Sequence, residues 1–306
     1  MVDIVMATYN GEKYIREQIE SILSQTYKDT RILIHDDGSN DHTIDIINKL
    51  IYEHPRKIVL INDNFVCRSA EGNFMHAMKQ SDAEYIMFSD QDDVWLPHKI
   101  QICLTKMKEI EDRIGKDKPI LVFGSYQPVD EELGPLEGNR NNRQEAAYKT
   151  EFSNLLVQNY VNGCLSMINR SLANKMGDYD KAILMHDWWA ALIAVGGGEI
   201  YHIDNIMMLY RQHNQNAVGA VNVKSIQYRV KKIRDKRTRE AGQEYLKQAK
   251  LLYLRNKEDL TLQHRNELKT FIDLYQKNKL GRMIGLIRGK YLKSDLVRIL
   301  GQLWYI

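Results

Sequence analysis

The first hundred residues alternate short apolar runs with amphipathic stretches. Four runs have the length and composition of buried strands: 3–7, 31–35, 57–62 and 85–89. Between the first two runs, Ile15, Ile19 and Ile22 recur at helical spacing and predict a helix with one apolar face. Strands and helices that alternate in this way, with short connections, predict a mostly parallel sheet covered by helices on both sides.

The pattern becomes less regular further along the chain. Pro97 predicts the first turn of a helix, and four later runs are typical of strands: 120–124, 164–168, 199–203 and 205–210. Residues 130–143 combine Gly, Pro and Asn without periodicity and predict a loop. From about residue 222 the chain is typical of helices, so we predict an α/β domain over residues 1–220 and a helical region over 221–306.

Charge divides the chain at the same place. Residues 1–220 hold 22 Lys and Arg against 32 Asp and Glu, whereas residues 221–306 hold 21 against 8. A basic helical region of this kind binds an anionic surface such as a membrane, packs on the protein or on a second copy, or is simply a solvated face. The three cysteines lack metal-ligand spacing, and no leader peptide or membrane-spanning run is recognisable, so we expect reduced thiols and a cytoplasmic location.

Polar residues follow three of the predicted strands at the point where each one ends. The segments are ATYNG at 7–11, DDGSND at 36–41 and DQDD at 90–93. Because the carboxyl ends of parallel strands share one edge of a sheet, we expect these side chains to meet in a ligand crevice. The acids at 36–37 are equally suited to capping the next helix. The three carboxylates at 90–93 need a compensating cation, and their oxygens suit Mg²⁺ or Mn²⁺ held together with a substrate phosphate.

Two common phosphate-binding motifs are absent. The sequence has no GxxxxGKS or GxxxxGKT loop, and no GxGxxG motif follows its first strand. These absences argue against a P-loop nucleotide hydrolase and against a dinucleotide-binding oxidoreductase. The strand-end carboxylates favour a different use of phosphate, in which a bound metal ion neutralises a leaving diphosphate.

Several segments, taken in order, resemble one enzyme family. They are ATYNGEKYIREQIESILSQTY, DDGSNDHT, FSDQDDVWLPHKI, NGC at 162–164, MHDWW at 185–189 and YRQH at 210–213. The set resembles the family 2 glycosyltransferases, and within them the bacterial rhamnosyltransferase-like branch, over roughly residues 1–220. The resemblance implies a GT-A fold, a Rossmann-like nucleotide-diphospho-sugar transferase domain, with the helical region as a C-terminal extension.

The resemblance also implies which residues hold the donor. The nucleotide-sugar contacts it implies are Ala7, Thr8, Tyr9, Asp37, Arg68, Asn73, Asp90 and Gln91. Asp37 is expected to bond the pyrimidine edge, and Asp90 to lie near the ribose or the sugar. Asp92 and His213 are expected to bind Mn²⁺ or Mg²⁺, with contact to the diphosphate as the alternative for His213. A surface role for Arg68 and a turn-capping role for Asp93 stay open.

On the acceptor side, the resemblance makes Asp187 the candidate general base, which takes the proton of the attacking hydroxyl. Asp187 begins an apolar helical run, so capping of that helix is the alternative. Gly163, Trp188, Trp189 and Arg211 are the expected acceptor or sugar contacts. The two tryptophans are equally suited to packing in the core.

Together these features predict an inverting, metal-dependent glycosyltransferase of bacterial surface polysaccharide synthesis. dTDP-L-rhamnose is the leading donor, and a UDP-hexose or UDP-N-acetylhexosamine is the alternative. A sugar nucleotidyltransferase would carry a basic Gly-rich loop where this chain has TYNGE, and a non-catalytic binding module would not need Asp187. The expected partners are the donor and a saccharide acceptor of the lipid-linked kind, together with either the anionic inner face of the cell membrane or a second copy of the chain. Nucleic acid is not expected, because the aromatics do not interleave with the basic residues as stacking platforms do.

Overall fold

The computed structural model describes residues 1–63, 65–136, 150–213, 236–294 and 296–305, with 236–240 described by their backbone alone. These residues contain one eight-stranded sheet with the order β3-β2-β1-β4-β7-β6-β8-β5. The strands are β1 (Val2–Thr8), β2 (Thr30–Asp36), β3 (Ile58–Leu60), β4 (Tyr85–Ser89), β5 (Val94–Trp95), β6 (Ile120–Val129), β7 (Ser166–Asn169) and β8 (Glu199–Arg211).

Helices cover both faces of the sheet. They are α1 (Ile15–Leu23), α2 (Thr43–Glu53), α3 (Ala70–Lys79), α4 (Lys99–Ile114), α5 (Phe152–Leu155), α6 (Arg170–Met176), α7 (His186–Gly197), α8 (Lys236–Asn256), α9 (Leu262–Leu274), α10 (Lys279–Arg288) and α11 (Leu296–Tyr305), with a short 3₁₀ helix at Gly163–Leu165. Side chains fix the start of two of them: Ser69 accepts the N–H of Gly72 in α3, and Asn169 accepts that of Leu172 in α6. None of the described helices combines the length and apolar character needed to cross a membrane.

The sheet is more mixed than the apolar pattern predicts. β1 pairs in parallel with β2 and β4, β2 with β3, and β6 with β8. In contrast, β7 is antiparallel to both β4 and β6, and β5 is antiparallel to β8. Antiparallel neighbours need no long crossover helix. The alternation of strand and helix that predicts parallel pairing is therefore confined to the first part of the chain.

The bounds of individual elements differ from the predictions in small ways. The predicted strands at 199–203 and 205–210 are one strand, β8, whose pairing with β6 shifts register around Ser125. Pro97 precedes α4 instead of lying in its first turn, and residues 164–165 lie in the 3₁₀ helix before β7. Residues 137–143 of the predicted loop lie outside the described residues, as does the stretch 222–235 of the predicted helical region.

The C-terminal helices share a hydrophobic core with the α/β part of the chain. One core lies under α1, α2 and α4, and a second lies on the other face of the sheet under α3 and α7. Leu252 of α8 and Phe271 of α9 are fully buried in the second core, in the same cluster as Trp189 of α7. The predicted boundary at residue 220 falls outside the described residues, so the division into two regions stays a prediction.

Candidate active site

The carboxylate of Asp36, at the end of β2, is surrounded by hydrogen-bond donors. It accepts from Thr8 Oγ1 at 2.9 Å, from the Gly38 N–H at 3.0 Å, and from Ser39 through N at 2.7 Å and Oγ at 2.6 Å. Gly38 has φ of +90°, a conformation that side chains disfavour. Asp36 therefore shapes the turn after β2 and joins it to the end of β1.

Asp37, the expected pyrimidine contact, lies beside the end of β1. Its N–H donates to Thr8 O at 2.9 Å, and its Oδ1 accepts the Cys67 N–H at 2.6 Å. Arg68, the next residue, has φ of +56° and is exposed at this edge, and Tyr9 is 54% exposed. The structure thus brings the candidates Thr8, Tyr9, Asp37 and Arg68 to one region. We call it the base side, after the nucleotide base that these residues are expected to contact.

Asn73 forms the floor of the base side. It lies in the first turns of α3 and is buried. Its Nδ2 donates to Thr8 O at 3.4 Å, and its Oδ1 accepts from His35 Nδ1 at 2.7 Å. Ala7, in β1, is partly buried against the core under the same helix. Both candidates therefore support the region from beneath.

Gln91 joins the base side to the segment after β4. Its Oε1 accepts the Tyr9 N–H at 2.9 Å, and its Nε2 donates to Tyr9 O at 3.0 Å. A Cβ at Gly11 would lie 2.3 Å from Gln91 Oε1, so a side chain at this position would force the amide to move. The amide that was expected to contact the donor is thus used to hold two loops together.

Three carboxylates follow β4 within four residues: Asp90, Asp92 and Asp93. Desolvation, with the charge of Asp92 next in size, raises the pKa of Asp90 to about 7. The same two causes raise the pKa of the buried Asp93 well above its usual range. Asp93 Oδ1 accepts the Arg211 N–H at 3.1 Å, but its buried Oδ2 has no hydrogen-bond partner among the described residues. We call Asp90, Asp92 and Asp93 the carboxylate cluster.

A buried ammonium group lies beneath the carboxylate cluster. Lys99 is 1% exposed, donates to Cys164 O at 2.5 Å, and stands 3.4 Å from the centroid of the Trp95 ring. Burial lowers the pKa of Lys99 to about 8, while its charge lowers the pKa of Asp90 and of Asp93. Lys99 offsets part of the negative charge of the carboxylate cluster.

His213, after β8, contacts the carboxylate cluster directly. Its Nε2 lies 2.9 Å from Asp92 Oδ2, and its ring packs on that of Tyr14 at a centroid distance of 5.0 Å. The two residues expected to share a metal are therefore adjacent in space, although 121 positions apart in the chain.

Arg211 supports the carboxylate cluster from behind. Its Nε donates to Asp92 O at 2.9 Å, its guanidinium also contacts Glu131 O and the Glu17 carboxylate, and it is 2% exposed. The guanidinium is thus buried among protein groups, and the expectation that Arg211 contacts the sugar or acceptor stays a prediction. Arg211 is a positioning residue for the loop that carries Asp92.

Asp187 lies at the same edge of the sheet, in the first turn of α7. Its oxygens accept from Asn159 Nδ2 at 2.9 Å, from the Gly163 N–H at 2.9 Å and from the Trp188 N–H at 2.6 Å. The N-cap of α7 is Met185, so Asp187 is not itself the cap. Gly163 bonds Asp187, and the Sγ of the next residue, Cys164, lies within 4.8 Å of ligand oxygens of Asp90 and Asp93, so this segment contacts both Asp187 and the acids that follow β4.

The remaining acceptor-side candidates are packed in the interior. A Cβ at Gly163 would collide with the His186 ring, so this glycine allows α7 to approach the 3₁₀ helix. Trp189 is fully buried, with its Nε1 bonded to Met176 O at 2.9 Å. Trp188 is 8% exposed and bonds Leu155 O at 2.6 Å. Both tryptophans therefore pack in the core, and their contact with the sugar or acceptor stays a prediction.

Three side chains of the site were not among the sequence-based candidates: Lys99, Asn159 and Glu17. Lys99 falls on the apolar face of α4, in line with Cys103, and a charged residue in that position is a signal the sequence offers. Asn159 and Glu17 carry no comparable signal, because they are recognised only through partners 28 and 194 positions away.

Known proteins match the chain over most of this region. The model of the family described as "Glycosyl transferase family 2" matches residues 3–176, which is more than half of the chain. The dTDP-rhamnosyl transferase RfbG of Shigella flexneri is 31% identical over 228 residues, covering 70% of this chain and 74% of that protein. The UDP-Glc:alpha-D-GlcNAc-diphosphoundecaprenol beta-1,3-glucosyltransferase WfaP of Escherichia coli is 43% identical over 100 residues, covering 33% of this chain and 38% of that protein.

Solved structures share the fold at low sequence identity. Residues 1–349 of S. aureus TarS, in complex with UDP-GlcNAc, align with a TM-score of 0.58 at 13% identity, over 94% of this chain and 80% of that one. The mannosyltransferase PcManGT of Pyrobaculum calidifontis, in complex with GDP-Man and Mn²⁺, aligns with a TM-score of 0.56 at 14% identity, over 98% and 77%. The predicted GT-A fold is confirmed. The chain belongs to glycosyl transferase family 2 and is a glycosyltransferase.

Proposed function

We propose that this glycosyltransferase moves a sugar from a nucleotide-sugar donor to a saccharide acceptor with inversion at the anomeric carbon and with the help of a divalent ion. The observation that carries the proposal is the carboxylate cluster, whose charge Lys99 offsets only in part, at the same sheet edge as Asp187 and the base side. dTDP-L-rhamnose is the preferred donor in this proposal, since the similarity to RfbG extends over 70% of the chain.

The base side supplies the nucleotide contacts. The exposed ring of Tyr9 and the carboxylate of Asp37 lie where the carboxyl ends of β1 and β2 meet, the usual place for a ligand in such sheets. Asp37 is held by its bond to the Cys67 N–H, so its position depends on the segment between β3 and α3. Arg68, exposed in that same segment and adjacent to Cys67 in the sequence, is suited to the diphosphate.

The residues of the carboxylate cluster fit Mn²⁺ or Mg²⁺. Among the described residues, Asp93 Oδ2 is buried and without a partner, and the Asp92 carboxylate contacts the imidazole of His213, so the negative charge is offset only in part. Hard carboxylate oxygens with one imidazole suit these ions, and Asp92 and His213 would hold the ion in our proposal. When bound, the ion neutralises charge on the leaving diphosphate.

Asp187 would act as the general base. The hydrogen bonds from Asn159 and Gly163 fix the direction of its carboxylate. A base fixed in this way removes the proton of the acceptor hydroxyl as that oxygen attacks the anomeric carbon from the face opposite the nucleotide. The bond between the anomeric carbon and the diphosphate oxygen breaks in the same displacement.

The central experiment measures donor binding and sugar transfer separately. Thermal stabilisation by dTDP-L-rhamnose, UDP-glucose, UDP-GlcNAc and GDP-mannose, each with Mn²⁺ and with chelator, identifies the donor. Asp187→Asn should keep the stabilisation but lose transfer by about 10²- to 10⁴-fold, whereas Asp204→Asn, exposed on β8, should keep both. Near-normal transfer by Asp187→Asn would show that another group is the base.

Two alternatives are distinguished in the same assay. Stabilisation by UDP-glucose or UDP-GlcNAc alone would favour a UDP-sugar donor, which the local similarity to WfaP supports. Release of inorganic pyrophosphate instead of a nucleoside diphosphate would identify a sugar nucleotidyltransferase and overturn the proposal.

The C-terminal helices α10 and α11 provide a surface for an anionic membrane in our proposal. Exposed apolar side chains lie on both helices: Leu280, Ile284, Ile287, Leu296, Leu300 and Trp304. The two helices meet where Lys279 Nζ donates to Trp304 O at 2.9 Å. Apolar residues next to lysine and arginine are typical of helices that lie on a membrane surface, and such a location suits an acceptor carried on a lipid.

Vesicle flotation tests this surface. The chain should float with vesicles containing phosphatidylglycerol and not with pure phosphatidylcholine, and Leu300→Ser with Trp304→Ser should abolish flotation. Leu254→Ser, 76% exposed on α8, is the matched control. If the same pair of substitutions instead abolishes a dimer and flotation is never seen, the surface is an interface between copies of the chain.

A further inference from the structure

A second group of potential metal ligands lies behind the base side. His35 is near the end of β2, Asp63 follows β3, and His76 is in the last turn of α3. Their ligand atoms all lie within 4.8 Å of one another. The end of β2, the segment after β3 and the last turn of α3 thus bring two imidazoles and one carboxylate to a single point.

The hydrogen bonds of Asn73 fix the proton on His35. Thr8 O can only accept, so the Asn73 atom that faces it at 3.4 Å is the amide nitrogen Nδ2. Asn73 Oδ1 therefore faces His35, and His35 Nδ1 must donate to it across 2.7 Å. A neutral His35 then presents the lone pair of Nε2 toward Asp63.

The lone pair of His35 Nε2 faces another hydrogen-bond acceptor, the Asp63 carboxylate. His35 Nε2 lies 3.3 Å from Asp63 Oδ1, and His35 is only 1% exposed. A bare imidazole nitrogen and a carboxylate oxygen repel each other unless a positive centre lies between them. That centre is either a second proton on the imidazole or a metal ion.

One of the two distances between the imidazoles and Asp63 matches a metal ion with nitrogen and oxygen ligands, and the other is that of a hydrogen bond. Two ligand atoms at about 2.0–2.2 Å from a tetrahedral ion are about 3.3 Å apart, which is the distance between His35 Nε2 and Asp63 Oδ1. His76 Nε2 lies 2.7 Å from the other oxygen, Asp63 Oδ2, so the carboxylate faces both rings. Metal-bound histidines usually donate their second N–H to an oxygen, as His35 does to Asn73.

The site differs in chemistry from the carboxylate cluster and is open to solvent. Two imidazoles and one carboxylate suit Zn²⁺ and similar ions, whereas the carboxylate cluster suits Mn²⁺ or Mg²⁺. The side chains of Asp63 and His76 are 35% and 20% exposed, so an ion has a path of entry and room for a water ligand. Phe65 stacks on the His76 ring at 4.0 Å and donates its N–H to Asp63 Oδ1 at 3.0 Å, which ties the loop to the site.

We propose that His35, Asp63 and His76 bind a zinc-type divalent ion that fixes the connection between β3 and α3. This connection carries Cys67, whose N–H holds Asp37 on the base side. The ion would therefore order the part of the protein that receives the nucleotide, without taking part in the transfer. The site itself is independent of the proposed function, and only its effect on nucleotide binding rests on it.

Cobalt provides a probe that reports on ligands instead of activity. Chelator-treated protein is titrated with Co²⁺, whose visible absorption is strong in tetrahedral sites with nitrogen ligands and weak in octahedral oxygen sites. The wild type and Asp92→Asn should both give the strong absorption, and Zn²⁺ should remove it. Asp63→Asn and His76→Gln should weaken the Co²⁺ affinity at least tenfold.

Thermal stability gives an independent readout. Zn²⁺ without donor should raise the Tm of the wild type and of Asp92→Asn but not that of Asp63→Asn, and circular dichroism checks that each variant is folded. Equal Co²⁺ spectra in the wild type and Asp63→Asn, or no strong absorption in any protein, would overturn the metal site and leave a proton between His35 and Asp63. Because donor is absent, failure here leaves the proposed glycosyl transfer untouched.

Discussion

Aspartates stand at two places along one edge of the sheet, and their surroundings differ. Asp36, after β2, accepts hydrogen bonds from three residues, including two backbone N–H groups of its own turn. Asp93, after β4, accepts from one backbone N–H and has a second oxygen without a partner among the described residues. The same residue type thus stabilises a turn at one place and accumulates uncompensated charge at the other.

The difference comes from the backbone that follows each strand. The turn after β2 contains Gly38 at positive φ, which points successive N–H groups at the carboxylate. After β4 the chain goes directly into the short strand β5, which pairs with β8 and leaves fewer N–H groups for the acids. A run of acids therefore indicates a cation site only where the local backbone cannot supply the donors.

The largest effect is expected at the carboxylate cluster. Asp92→Asn removes the oxygen that His213 contacts and should lower transfer by about 10²- to 10³-fold. Steady-state rates across a Mn²⁺ titration measure this, because the variant should also need more Mn²⁺. Asp45→Asn, an exposed acid of α2, is the control and should behave as the wild type. Unchanged Mn²⁺ dependence in Asp92→Asn would separate Asp92 from the ion.

Lys99→Met should be the most destabilising of the substitutions at this edge. It removes a buried ammonium that lowers the pKa of Asp90 and of Asp93, and uncompensated buried charges cost about 3–5 kcal/mol. Urea unfolding without metal measures the loss. Added Mn²⁺ should recover part of it, and Lys108→Met, on the exposed face of α4, should change stability by less than about 0.5 kcal/mol.

Asp36→Asn should lower stability with little effect on the metal dependence of transfer. The asparagine amide has the same shape as the carboxylate, but its NH₂ group would face the N–H and O–H groups that donate to Asp36. The unmade hydrogen bonds should cost about 1–3 kcal/mol of folding stability. Urea unfolding and the Mn²⁺ titration, run together, compare this variant with Asp92→Asn. If Asp36→Asn shifts the Mn²⁺ dependence as strongly as Asp92→Asn, the two places do not differ in the way proposed.

The smallest effect concerns the link between the two places. Gly11→Ala would push on the Gln91 amide and should destabilise the protein by about 0.5–1.5 kcal/mol, because it weakens the hydrogen bonds of that amide to Tyr9. Adding Gln91→Ala should relieve the clash, so the double variant should be less destabilised than the sum of the single ones. Additive losses in a double-mutant cycle would mean that the clash lies elsewhere.

The parallel part of the sheet, and the acids at its carboxyl edge, can be predicted from the sequence. The apolar runs of β1, β2 and β4 are continuous because these strands are buried, and parallel pairing then places Asp37 and Asp92 at one edge. Strand β7 has four residues and is not flanked by a regular alternation of strands and helices. The sequence therefore could not predict that it pairs antiparallel to its neighbours. The guanidinium of Arg211 contacts residues that are 80 to 194 positions away in the chain. Hydrophobic periodicity carries no information on such contacts.

The close packing of α7 against the C-terminal helices has a consequence for how the chain can be dissected. Asp187 stands on α7, and the other end of that helix is held by Thr261, whose N–H donates to Gly196 O at 2.9 Å. A shortened chain without α8 and α9 would expose the apolar side of α7 to solvent. The position of Asp187 on that helix would then be less well fixed. Because Leu252 and Phe271 are buried in the same cluster as Trp189, removing the C-terminal helices would alter the core that supports the helix carrying Asp187.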